Sequence, residues 1–144
     1  MRTIKTNNYL ETQGFANELA NEFKDKGGVI ALTGELGAGK TTFTQGFAKG
    51  LGIQDKIISP TFVLIRQHQV PGTKQTLYHI DLYRLESSED FKQLGFTDML
   101  QGNNIILIEW AEKALHLLKK PYTQITFKKI SEDSREITIE EIKV

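Results

Sequence analysis

A chain of 144 residues, 39% of them hydrophobic, buries one core of ordinary size and leaves little for a second domain. Lysine plus arginine equals aspartate plus glutamate at 18 each, which excludes a global electrostatic pull toward nucleic acid or an anionic membrane; the absence of cysteine excludes a disulfide framework and thiolate metal sites. No apolar run reaches the roughly 20 residues of a membrane span, and MRTIKTNNYL lacks the apolar stretch of a signal peptide, so the expectation is a soluble, cytoplasmic, single-domain protein.

In chain order, Phe15, Leu19 and Phe23 recur every four positions between Thr12 and Lys26, with Ala16 and Ala20 beside them, which predicts a helix capped by Thr12 and stopped by Gly27-Gly28. Val29 to Leu32 is a continuous apolar run, as a strand covered on both faces would be. The glycine-rich stretch GELGAGKT follows, and then Phe43, Phe47 and Leu51 repeat every four residues before Gly50 and Gly52 offer a stop. Strand, glycine loop, helix is the local order.

Phe62 to Val70 and Gln75 to Tyr83 read as two strands of an antiparallel hairpin turning at Pro71-Gly72. Ser87-Ser88-Glu89-Asp90 suits the start of a short helix ending at Gly95, because serine caps and acids favour the positive end. Ile105 to Ile108 is a second buried-strand candidate, and a helix from Ala111 to about Leu118 stops before Pro121. Tyr122 to Ile130 and Arg135 to Lys143 alternate around Ser131 to Ser134 as a closing hairpin. Together these elements predict an α/β domain with a mixed sheet.

The loop Gly34 to Thr41 satisfies G-x-x-x-x-G-K-[ST] in full. Glycines permit positive φ and remove side chains, so successive backbone N–H groups at Gly37, Ala38 and Gly39 can curl around a phosphate while the next helix aims its positive end at it. Lys40 then serves as a point charge on the β- and γ-phosphates, and the Thr41 hydroxyl enters the shell of Mg²⁺. A phosphate loop also needs a carboxylate for the metal's water shell and, for hydrolysis, a group that orients water. Glu109, after IILI, and Asp81, after TLYHI, both stand where strands end, which in open α/β sheets is the ligand crevice; Glu109 is the better metal candidate. Ser59-Pro60-Thr61-Phe62 could cross the nucleotide with a hydroxyl or be an ordinary turn before a strand. Trp110 reads as core, and His68, His79 and His116 lack metal spacing and read as structural.

No N-K-x-D segment is present to read guanine, so ATP is favoured by exclusion. A small-molecule kinase remains the alternative, although the arginines, Arg2, Arg66, Arg84 and Arg135, form no lid segment to shield a transferring phosphoryl group. A nucleotide-dependent switch needs only the loop, a metal-binding acid and a segment that senses the γ-phosphate.

In this order and spacing GELGAGKTT, SPTF, HIDLYRL and LIEW resemble the TsaE family, formerly YjeE, with ETQGFANELA and SREITI resembling its N-terminal helix and closing strand. The resemblance implies a P-loop NTPase-like three-layer α/β fold with a mixed, partly parallel sheet and added antiparallel hairpins. It also implies a small bacterial Mg-dependent ATPase. Such proteins serve the formation of threonylcarbamoyladenosine beside the anticodon of tRNAs that read codons beginning with A. The implied partner is a TsaB–TsaD-type heterodimer, through which tRNA is met indirectly, with no membrane involved. Carried over residue by residue, it implies that Gly37 to Thr42 hold the phosphates, with Lys40 on phosphate oxygens and Thr41 and Glu109 on Mg²⁺. Asp81 is the second functional acid, Thr61 the switch hydroxyl, and Thr12 lies near the adenine. Arg84 would stabilise γ-phosphate charge or contact the partner.

Overall fold

The computed structural model describes residues 1–35, 37–55, 57 and 65–143. Their strands are β1 (Arg2–Thr6), β2 (Gly28–Gly34), β3 (Ile65–Gln69), β4 (Thr76–Asp81), β5 (Ile105–Glu109), β6 (Tyr122–Lys129) and β7 (Arg135–Ile142). They form one sheet in the order β1-β7-β6-β2-β5-β4-β3. The four central strands, β6, β2, β5 and β4, are mutually parallel; β7 and β1 on one flank and β3 on the other run antiparallel to their neighbours.

Strands β2 and β5 are buried on both faces, and their alternate residues feed two separate cores. Ile30, Leu32, Ile105 and Leu107 join Phe127 and the apolar faces of helices α1 (Tyr9–Phe23) and α2 (Lys40–Gly50). Val29, Ala31, Ile106 and Ile108 face the opposite layer, where Phe91 and Met99 of the short helices α3 (Ser88–Lys92) and α4 (Phe96–Met99) pack with Ala111 and Ala114. This is the three-layer, mixed-sheet α/β architecture expected from the sequence, with hairpins β3–β4 and β6–β7 in place. Among the described residues no helix is long and apolar enough to cross a membrane.

Several local expectations change. The first helix begins at Tyr9 and is capped by Asn8, whose Oδ1 accepts the Glu11 N–H at 2.9 Å, while the Glu11 carboxylate accepts the Asn7 N–H at 2.8 Å. Thr12 is therefore no cap: it sits a turn inside, buried, with its hydroxyl 2.7 Å from that of Thr6 on β1. Strand β1 itself has no counterpart in the sequence reading, because RTIKT has only Ile4 to bury. The helix begun at Ser87 stops at Lys92, and Gly95, left-handed at φ 77°, starts a second one. The segment 111–118 is two 3₁₀ turns, Ala111–Lys113 and Leu115–Leu117, rather than a helix. The extended φ of Ala114, −139°, breaks it, and Lys113 donates to Tyr83 O across the crevice.

Helices α1 and α2 meet at unusually close range because α2 carries glycine on its contact face. A Cβ on Gly46 would lie 2.4 Å from the Gln13 carbonyl oxygen, and one on Gly50 2.5 Å from that of Asn17. Around this contact Phe15 and Phe23 of α1 pack with tilted rings against Phe43 and Phe47 of α2, ring centroids 6.2 and 5.9 Å apart. Gly46→Ala should therefore destabilise the fold by about 1–2 kcal/mol, the overpacking cost outweighing the helix propensity that alanine gains. Urea denaturation monitored by circular dichroism checks this, and a midpoint at or above wild type would contradict it.

Candidate nucleotide site

The crevice forms where β2, β5 and β4 end side by side and the N-terminus of α2 points across them. Leaving β2 at Gly34, the chain turns through Gly37 at φ 78° and Gly39 at φ 105°, backbone that L side chains rarely adopt, before α2 opens at Lys40. The helix lacks a side-chain cap at Gly39, so its first N–H groups face the loop. That is the geometry of an anion cradle. Arg135, at the start of β7, braces it from outside. Its guanidinium donates to Gly37 O at 3.1 Å and to the carbonyls of Ser131, Glu132 and Ser134 at 3.0–3.1 Å.

Lys40 is nearly fully buried. Its ammonium donates to Gly34 O and lies 3.5 Å from the centroid of the Trp110 ring. Burial pushes its pKa below the ordinary lysine value of 10.5, and the carboxylates of Glu112, Glu109 and Asp81 partly oppose that shift. Trp110 is held in the left-handed region at φ 59°, a conformation that costs an L residue about 1–2 kcal/mol, and its half-buried ring meets both Lys40 and Tyr83. Glu112 then caps the start of the loop, its Oε2 accepting the Gly34 N–H at 2.9 Å. Residues 109–112 thus grip the phosphate loop at three points.

Parallel register sets the acids next to each other: Asp81 at the end of β4 pairs with Glu109 at the end of β5, and Glu109 in turn with Leu32 of β2. Glu109 is buried and accepts the Thr41 hydroxyl at Oε1, 3.0 Å away. Asp81, also buried, accepts the Tyr83 N–H at 2.9 Å. A hydroxyl, one or two carboxylates and adjoining phosphate oxygens are the donor set that suits Mg²⁺. Among the described residues no cluster of three or more histidines, cysteines or acids is placed to hold a metal ion.

The structure brings together Gly37, Ala38, Gly39, Lys40, Thr41, Asp81 and Glu109. Thr12 and Thr42 lie apart from the acids, on a small cavity of about 90 Å³ beside Gly39, bordered also by Tyr9, Asp133 and Arg135. Thr61 and the rest of Ser59–Phe62 lie outside the described residues. Arg84 is exposed, three residues beyond Asp81. Spacing alone makes His79 structural, yet its Nε2 lies 2.5 Å from Glu109 Oε2. The clue was parity: in TLYHID, His79 and Asp81 share a face with Leu77, as Glu109 does with Leu107. Trp110 does pack on the core, but it also covers Lys40. Glu112 and Arg135 carried no sequence signal, since each acts through backbone contacts made across the fold.

The family model described as "Threonylcarbamoyl adenosine biosynthesis protein TsaE" matches residues 6–137. The chain belongs to the TsaE family. It is 41% identical over 134 residues to the tRNA threonylcarbamoyladenosine biosynthesis protein TsaE of Bacillus subtilis, an alignment covering 93% of this chain and 82% of that relative. To the TsaE protein of Treponema pallidum it is 41% identical over 115 residues, 80% of this chain and 83% of the relative. The crystal structure of B. subtilis YdiB superposes with a TM-score of 0.76 at 38% identity, covering 96% of this chain and 83% of that one. The TsaE match therefore spans the loop, both acids and the Glu109–Trp110 turn together.

The lowered Lys40 pKa sets a pH dependence. If Lys40 holds phosphate, its ammonium is the form that does so, present in full below the folded pKa and lost as pH rises through it, so triphosphate affinity should fall at an alkaline pH below 10.5. Calorimetric titration across that range checks the sign; constant affinity up to 10.5 would refute it. Trp110 is the only tryptophan, and a phosphate that draws Lys40 from its ring should give a saturable change in intrinsic fluorescence on ATP addition, absent in Lys40→Met.

Proposed function

We propose that this chain binds Mg-ATP, hydrolyses it slowly, and through that cycle regulates or resets a TsaB–TsaD-type transferase complex in threonylcarbamoyladenosine modification of tRNA. The observation that carries the reading is the Thr41–Glu109 hydrogen bond, which places the loop hydroxyl and the strand-end carboxylate at one point beside Lys40. Family membership supplies the pathway. The net charge of zero suits a protein that meets tRNA through its partner.

Thr41 and Glu109 are the residues that would hold Mg²⁺, which would supply charge neutralisation to the phosphoryl group. The chain's own part is positional. Lys40 exchanges the Gly34 carbonyl and the Trp110 face for phosphate oxygens, a trade favoured because a buried ammonium gains a full counter-charge. The Thr41 hydroxyl, which donates to Glu109 in the resting fold, would be available to the cation, and Glu109 and Asp81, side by side at the strand ends, would accept from and orient the water that attacks phosphorus. Hydrolysis by the isolated chain is slow, and the partner completes the site.

Lys40→Met, which keeps the buried stem and removes the charge, should stay folded and lose the ATP-induced rise in melting temperature, about 5–10 °C for wild type at a hundredfold excess over Kd. Reconstitution of the modification with a TsaB–TsaD pair and tRNA should then proceed over many turnovers with wild type and not with Lys40→Met. Undiminished modification with the variant would sink the proposal. ATP turnover stimulated only by a small-molecule acceptor, with stoichiometric phosphorylated product, would establish the kinase alternative instead.

A further inference from the structure

His79 takes no part in the steps above, yet it is fully buried and makes the shortest contact to Glu109. We propose that His79 is a positioning residue that holds the Glu109 carboxylate in its working orientation; the proposal rests on the Mg-ATP reading. In the parallel register His79 lies opposite Leu107, so Glu109 is its diagonal neighbour on the same face of the sheet, within reach of a long side chain. The imidazole spans that diagonal and takes Oε2 at 2.5 Å, while Oε1 is left to Thr41 at 3.0 Å. Each carboxylate oxygen therefore has one assigned partner, one on a strand and one on the phosphate-loop helix.

The other imidazole nitrogen identifies the donor. Nδ1 is buried and has no hydrogen-bond partner among the described residues. An ionised carboxylate only accepts hydrogen bonds, so the imidazole nitrogen that faces Glu109 must carry a proton, and a neutral ring then leaves Nδ1 as a lone pair rather than an unmatched buried N–H. The proton thus sits on Nε2 and is donated to Glu109. A merely space-filling role is served better by leucine, which fills a similar volume with no orphaned nitrogen. The arrangement has the form of an outer-shell contact, in which a partner fixes the angle at which a ligand carboxylate meets its cation and water.

The test uses the full chain with its TsaB–TsaD-type partners. His79→Leu should lower kcat for ATP roughly 10- to 100-fold with little change in KM, since the phosphate loop is untouched, and His79→Gln, whose amide nitrogen reaches where Nε2 lies, should recover most of the loss. Equal kcat in wild type and His79→Leu overturns the proposal, as does failure of His79→Gln to improve on a folded His79→Leu. Nitrogen-15 spectra of the nucleotide-free wild type give a second readout that needs neither activity nor a stable variant. The His79 proton should reside on Nε2, and its signal should move in Glu109→Gln; a proton on Nδ1 overturns the proposal. Wild-type protein that neither binds nor hydrolyses ATP defeats the parent reading and the working role of His79 with it, whereas intact hydrolysis in His79→Leu defeats this proposal alone.

Discussion

The hydrogen bond from Thr41 to Glu109 joins the first turn of α2 to the end of β5, and most of the crevice depends on it. These residues are 68 apart in sequence. They meet only because β5 is inserted between β2 and β4, in parallel register with both, so that its end lies under the glycine loop leaving β2. Everything in the site is referred to that point: Lys40 one residue earlier on the helix, Trp110 one residue past the end of the strand, and Asp81 across the strand pair.

The crevice places polar groups in a region that is otherwise apolar. Lys40, Glu109, Asp81 and His79 are all buried, next to strands whose inward positions are isoleucine, leucine and alanine. Such burial is tolerated where each charge has a partner, and burial lowers the pKa of Lys40. The left-handed backbone at Trp110 adds to that cost. The carboxylates of Glu112, Glu109 and Asp81 offset only part of the cost of burying the Lys40 ammonium. The Glu112 cap on Gly34 and the Arg135 brace on Gly37 hold the loop at its start and in its middle.

How much could be read in advance followed the range of the interaction. Helix α2, strands β2 and β5 and the β3–β4 and β6–β7 hairpins were legible, since each is written in local periodicity, glycine punctuation and turn residues. The helix expected over 111–118 was not, because its residues were drawn into contacts with Gly34 and Tyr83 that no local pattern announces. Thr12 looked like a cap because Asn8 lies before the periodic run begins, and β1 was invisible because an edge strand pairs through its backbone and buries little.

By itself the sequence determined the chemistry: a phosphate loop with its lysine and threonine, acids at two strand ends, and the motif order of the TsaE family. Those are properties of residue type at short spacing, which the backbone expresses locally. The tertiary structure decided which groups act together. It turned Glu109 toward Thr41, set His79 behind it, laid Trp110 over Lys40 and fastened the loop with Glu112 and Arg135. Strand order and register are fixed by the burial of whole strands against two helical layers, a constraint spread over the entire core and therefore absent from any single stretch of the chain.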